Sequence, residues 1–220
     1  GTGKSVSTGS STGYALMSYF GKINYSFAER YLVSATVRYD GSSRFGKNNR
    51  FGTFPAFSLG WRLSEEAFIK DNTDVISDLK LRFGWGQTGN QEIDNYATYN
   101  IYTTDYGIGD PTWGAVLGTA YNITGKGTGT LLSGFKMNQR GNDNLKWETT
   151  TQTNIGLDFG LFNQSLYGSA EYYMKKTKDI LVKPPYLAAI GEGGNRWING
   201  ASMENWGLEF NLGYRNKTRF

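Results

Sequence analysis

The sequence predicts an all-β protein: a partial antiparallel transmembrane β-barrel of about seven long strands, with long loops at one end. Three observations predict it. Organised stretches alternate apolar and polar residues with period two. A 3.6-residue period is almost absent, and the connections alternate between short and long. Period two is the signature of a strand, whose successive side chains point to opposite faces of a sheet.

Four strands are read directly from that alternation. Residues 31–39 set Tyr31, Val33, Ala35, Val37 and Tyr39 against Leu32, Ser34, Thr36 and Arg38. Residues 57–63 set Phe57, Leu59, Trp61 and Leu63 against Ser58, Gly60 and Arg62. Residues 79–86 interleave Leu79, Leu81, Phe83 and Trp85 with Lys80, Arg82, Gly84 and Gly86. Residues 206–214 do the same with Trp206, Leu208, Phe210, Leu212 and Tyr214 against Gly207, Glu209, Asn211 and Gly213. Looser alternation gives three more strands, near residues 14–27, 147–160 and 165–175. One weak helical piece fits within residues 65–78.

The connections sort by side. Residues 28–30 and 161–164 are tight turns, and residues 65–78 join the same side with a longer link. Residues 41–50, 89–145 and 183–202 are long and rich in Gly, Asn and aromatics, and all fall on the other side. Short turns at one end and long loops at the other describe an outer-membrane barrel, with the long loops extracellular. Aromatic residues near the strand ends agree, because Tyr and Trp gather at membrane interfaces.

Composition removes most chemistry. The chain has 220 residues, a net charge of +4, and neither His nor Cys. That excludes His- or Cys-based zinc sites, disulfides, Cys nucleophiles and any triad with a His base. So small a positive charge gives no support to a nucleic-acid partner. A mean hydropathy of −0.49 suits a soluble protein and equally a barrel with a polar lumen. Gly1-Thr2-Gly3-Lys4-Ser5 imitates the end of a phosphate-binding loop, but no strand precedes it and no helix follows. Asp71, Asp74 and Asp78 lack the spacing of a calcium loop. Glu148 and Asp158 lie about 33 Å apart along one strand, too far for a glycosidase pair. No catalytic residue, metal or cofactor is expected, and the protein is read as not an enzyme. The loop cations Arg44, Lys47 and Arg50 read as a solvated loop or a phosphate contact.

Six segments then carry a family resemblance. Residues 29–46 (ERYLVSATVRYDGSSRFG), 54–66 (FPAFSLGWRLSEE) and 81–93 (LRFGWGQTGNQEI) resemble the SusC-like (SusC/RagA) family of TonB-linked outer-membrane transporters. Residues 144–162 (NLKWETTTQTNIGLDFGLF), 172–181 (YYMKKTKDIL) and 199–210 (NGASMENWGLEF) resemble it in the same order. The resemblance implies a 22-stranded barrel with an N-terminal plug, importing glycans or peptides. It also implies a SusD-like surface lipoprotein that lids the barrel, and energy from the TonB complex of the inner membrane. Nothing in the chain matches the plug, the TonB box or the family's extra N-terminal domain. All 220 residues therefore read as part of one barrel domain, from its C-terminal half, with residues 89–145 and 183–202 as extracellular loops.

Site expectations follow. Val33, Val37, Leu59, Trp61, Leu81, Phe83, Leu208 and Phe210 are expected to face lipid, and Arg38, Arg62, Arg82 and Glu209 the lumen. Among the loop aromatics, Trp113, Tyr121, Tyr186 and Trp197 are expected to contact substrate, since flat rings stack on sugars. Equally, such rings and their Asn neighbours can pack the loops on one another. The alternative to a transporter is a soluble secreted β-sheet module that binds carbohydrate through the same loop aromatics.

Overall fold

The computed structural model describes residues 11–103, 120–121, 132–133, 136–185 and 195–216. Seven long strands form one antiparallel sheet in the order β1-β2-β3-β4-β9-β10-β11. They are β1 (Leu16–Phe27), β2 (Tyr31–Ser42), β3 (Phe51–Arg62), β4 (Ile76–Asn90), β9 (Glu148–Leu161), β10 (Leu166–Val182) and β11 (Ile198–Tyr214). Among the described residues between β4 and β9 are four short strands in two pairs. β5 (Ile101–Thr103) joins β8 (Lys136–Gln139), and β6 (Ala120–Tyr121) joins β7 (Leu132–Ser133). A 3-10 turn at Leu63–Glu65 and one helical turn, α1 (Ala67–Lys70), fill the link between β3 and β4.

Every long strand is paired with its neighbour in the sheet, and the register keeps the two faces chemically separate. One row reads Phe27, Tyr31, Trp61, Leu81, Leu157, Ala170 and Phe210 across all seven strands. The adjacent row, on the opposite face, reads Ser26, Leu32, Gly60, Arg82, Gly156, Glu171 and Glu209. Because facing partners share a side, the period-two pattern of each strand adds up to an apolar face and a polar face. The first row starts at the last residue of β1 and ends four residues before the last of β11. The strands are thus staggered, as closure into a tilted barrel requires.

Two turns are tighter than their residues favour. Ala28 and Glu29 in the first hairpin, and Phe162, Asn163 and Gln164 in another, all have φ between 49° and 64°. Left-handed backbone costs a non-Gly residue about 1–2 kcal/mol. The fit of the flanking ladders offsets that strain.

The strands differ from the sequence reading in length. They run further on the long-loop side, so Tyr39, Trp85 and Trp206 sit inside β2, β4 and β11 rather than at their ends. Each nonetheless marks where the apolar face stops. The next position on that face is Gly41 above Tyr39, Gln87 above Trp85 and Glu204 above Trp206. Propensity within the strand carried the apolar part, and the polar upper part pairs because its backbone has a neighbour to pair with. Pro55 explains a second detail. The β3–β4 ladder begins at Ala56 and Gly86, one residue below the proline, whose ring leaves no amide to donate. Above it β3 pairs only with β2.

Among the described residues, β1 and β11 each have one unpaired side. In lipid an unsatisfied backbone group costs several kcal/mol, so open edges do not persist there. The isolated 220-residue chain is therefore expected to aggregate or pair edge to edge, and not to conduct. Ion-flux recordings on liposomes reconstituted with this chain alone check this. Discrete pores would show that the sheet closes by itself.

Candidate functional site

The polar face is hollow at its centre. A trough of about 910 Å³ is lined there by Lys80, Arg82, Gln152, Asn154, Glu171 and Lys175, with Ser26, Ser34 and Ser58 on the β1–β3 side. Arg82 on β4 organises it. Its guanidinium donates to both oxygens of Asp158, at 2.8 and 3.0 Å, and to Glu171 at 3.2 Å. It lies over Gly156, where a Cβ would come within 2.9 Å of its nitrogen. The glycine on β9 is what lets a strand-borne arginine reach two carboxylates on two other strands. Asn154 donates to the second oxygen of Glu171, which closes the network.

Of the expected luminal group, Arg38, Arg62, Arg82 and Glu209 all fall on this polar face. Arg38 pairs with Asp40 at 3.0 Å. The expected lipid-facing group falls on the other face, where Phe210 is 77% and Leu208 61% exposed. Val33, Val37, Leu59, Trp61, Leu81 and Phe83 share that face by register.

Above the trough the long loops are packed together. Phe45, Phe54, Ile93, Ala97, Leu145, Trp147 and Leu181 form a buried cluster. Trp147 stands at its centre, with ring centroids 5.3 Å from Phe45 and 5.4 Å from Phe54, and its indole N–H donates to the Arg50 carbonyl at 3.1 Å. Phe54 fits because Gly89 has no side chain: a Cβ there would stand 2.1 Å from the ring. Arg44 is drawn inward rather than left as a solvated cation. It donates to Asn95, to the Gln91 carbonyl and to Glu92, and it stacks 3.8 Å from the Tyr14 ring centroid.

Asparagines tie the loops to the strands. Asn199 accepts the Lys146 amide and donates to the carbonyls of Lys146 and Asp179, bridging three segments. Asp179 sits at a bulge in β10 with φ of 56°. Asn142 donates to the Trp197 carbonyl at 2.9 Å. None of these asparagines stood out in the sequence, where Asn is common in every loop. Leu145 and Trp147 did carry a signal, since they alternate with Asn144 and Lys146 just ahead of β9.

Trp197, an expected substrate ring, is half-buried against this cluster. Its indole N–H donates to Asp94 at 2.9 Å, and the same oxygen takes Lys183 at 2.6 Å. Tyr121 lies in β6, while Trp113 and Tyr186 lie outside the described residues.

The Asp94 carboxyl is held below the usual carboxylate range, first by the Lys183 hydrogen bond and then by that of Trp197. A depressed folded value means the latch contributes fully above the ordinary value of 3.8 and is lost as pH falls below it. Hydrogen exchange, corrected for intrinsic rates, is expected to show protection of residues 91–99 and 195–199 falling in that range. Asp94→Asn is expected to lose the same protection at pH 7 and to show no further step on acidification.

An open, staggered sheet with one apolar and one charged face has the make-up of an outer-membrane β-barrel wall. The family model described as TonB dependent receptor-like, beta-barrel, matches residues 1–220. The chain belongs to that family, which comprises outer-membrane receptors and transporters rather than enzymes. It is 42% identical over 215 residues to the TonB-dependent receptor SusC of Bacteroides thetaiotaomicron, covering 93% of this chain and 19% of that protein. It is 37% identical to TonB-dependent receptor P3 of Formosa agariphila, covering 92% of this chain and 18% of the relative. A solved structure of the RagAB peptide importer superposes with a TM-score of 0.73 at 30% identity, over 93% of this chain and 20% of that one. The siderophore receptor PirA of Pseudomonas aeruginosa, at 18% identity and a TM-score of 0.53, shares the fold. The chain spans about a fifth of the length of the curated relatives it matches.

Proposed function

We propose that this sheet is part of the wall of a TonB-dependent importer for glycans or peptides. A SusD-like surface lipoprotein would lid it, and the TonB complex would drive it. The observation that carries the reading is the division of one sheet into two faces, crowned on the polar side by packed loops. An apolar face from β1 to β11 that is left exposed suits lipid, whereas a soluble module buries such a face against a second sheet. On this reading Val33, Val37, Leu59, Trp61, Leu81, Phe83, Leu208 and Phe210 meet acyl chains. Arg38, Arg62, Arg82 and Glu209 line the import path.

Two similarities support the substrate class, the 42% identity to SusC and the superposition on the RagAB peptide importer. Trp113, Tyr121, Tyr186 and Trp197 are the proposed substrate contacts. The test is uptake of labelled neutral oligosaccharides and of short peptides by cells carrying the intact receptor. Trp113→Ala and Tyr186→Ala are expected to reduce uptake while leaving receptor abundance in the outer membrane unchanged. Undiminished uptake in both variants would remove these rings from the substrate site. Uptake of neither class by cells with abundant receptor would remove the importer reading.

A further inference from the structure

At the short-turn end, a carboxylate is fastened to the apolar face. Glu66, just ahead of α1, accepts the Tyr31 hydroxyl at 2.7 Å, the Trp61 indole N–H at 2.9 Å and the Arg30 guanidinium at 3.0 Å. Tyr31 and Trp61 belong to the outer, apolar face, and their rings stack at 6.3 Å between centroids. Glu66 is also the N-cap residue of α1, yet its side chain makes no capping bond. Ser, Thr, Asp or Asn is the usual choice for that position because its oxygen satisfies a free amide. Here the carboxylate gives up that role to reach the sheet.

The consequence is directional. The bonds draw the β3–β4 link outward over the apolar face instead of letting it hang away from the barrel into water. The side chain that follows on α1 and is left uncovered is Phe68, 60% exposed. Its neighbour Ile69 is half-buried, and Lys70 is tied back to Glu65 at 2.9 Å. Tyr and Trp place their polar tips at the boundary between acyl chains and headgroups. A segment anchored on those tips lies at that boundary, and Phe68 is the exposed apolar ring it carries there.

We infer that the link over Leu63–Lys70 is an interfacial foot: it lies flat on the periplasmic leaflet, with Phe68 inserted among the lipid acyl chains. The occupant of the exposed ring is the leaflet itself, because the surface is continuous with the face proposed to meet lipid, on which reading this inference rests. A foot of this kind adds lipid contact just beyond the sheet, where the strands stop, and fixes the height at which the barrel sits.

These 220 residues contribute no cysteine, and any cysteine elsewhere in the receptor is first replaced by serine so that single labels are unambiguous. In the intact receptor, in outer-membrane vesicles, nitroxide labels are placed at Phe68→Cys, Asp71→Cys and Leu208→Cys. Their collision rates with apolar oxygen and with a water-soluble nickel chelate are then compared. The label at 68 is expected to favour oxygen several-fold over the label at 71, and to approach the label at 208. Adding Glu66→Gln is expected to shift the label at 68 toward the chelate while leaving 208 unmoved. If 208 favours oxygen and 68 matches 71, the foot is wrong and the lipid-facing reading stands. If 208 itself favours the chelate, the lipid-facing reading fails and the foot fails with it.

Discussion

Trp147→Ala is expected to cost the loop cluster about 3–5 kcal/mol, the range for removing a large buried aromatic. The ring is 8% exposed, touches Phe45 and Phe54, and closes the space between the β2–β3 loop and the approach to β9. Trp147→Phe keeps part of that packing but gives up the indole hydrogen bond to Arg50 and the larger ring's extra volume, an expected loss of about 1–3 kcal/mol. The two losses are local, since the cluster stands above the apolar band. Hydrogen exchange of residues 43–50, 91–99 and 142–147 in the assembled receptor measures them, and the strands β2 and β9 below serve as the reference. Equal loss of protection in the loops and in the lower strands would show that no separable cluster exists. No loss in either would show that Trp147 is not its centre.

This division, a barrel wall below and a small water-excluding core above, also explains what the sequence could and could not show. The wall was legible because period two is imposed residue by residue: Val33, Val37, Leu59 and Leu81 alternate with Ser34, Arg38, Gly60 and Arg82 whatever their neighbours do. The seven strands and the two tight turns follow from that local rule. Lengths were not legible, because the upper parts of β2, β4, β10 and β11 are polar on the apolar side. They are strands for reasons of pairing rather than of pattern. The loop core was hidden for another reason. Phe45, Ile93, Ala97 and Leu145 come from segments up to 100 residues apart, and only their meeting makes them a core. Arg44 illustrates the same limit: a cation in a Gly- and Asn-rich loop reads as solvated, and only tertiary contacts with Asn95, Gln91 and Tyr14 bring it inward. Family resemblance supplied the barrel's identity, and local pattern supplied the division of its residues between two faces.

The depth of each outward position sets the last expectation. On β11 the apolar face runs from Tyr214 to Trp206, eight residues or about 26 Å along the strand, and on β2 from Tyr31 to Tyr39, the same length. A tilt of about 40° reduces this to roughly 20 Å of thickness, suited to a thin outer membrane whose edges carry the aromatic rings. Phe210 is the middle of that band on β11, Leu208 is one step above it, and Trp206 is at its rim. Phe210→Arg, Leu208→Arg and Leu81→Arg are therefore expected to cost about 2–4 kcal/mol, and Trp206→Arg and Tyr39→Arg about 0–1 kcal/mol. The reason is solvation: a guanidinium at the band's centre has neither water nor headgroups within reach, whereas at the rim it has both. Asn211→Arg, one residue from Phe210 but on the trough side, is expected to be nearly neutral. Denaturant titration of the receptor folding into lipid vesicles reads all six. A profile that is flat from Phe210 to Trp206, or a cost at Asn211 equal to that at Phe210, would sink the assignment of faces on which the importer reading rests.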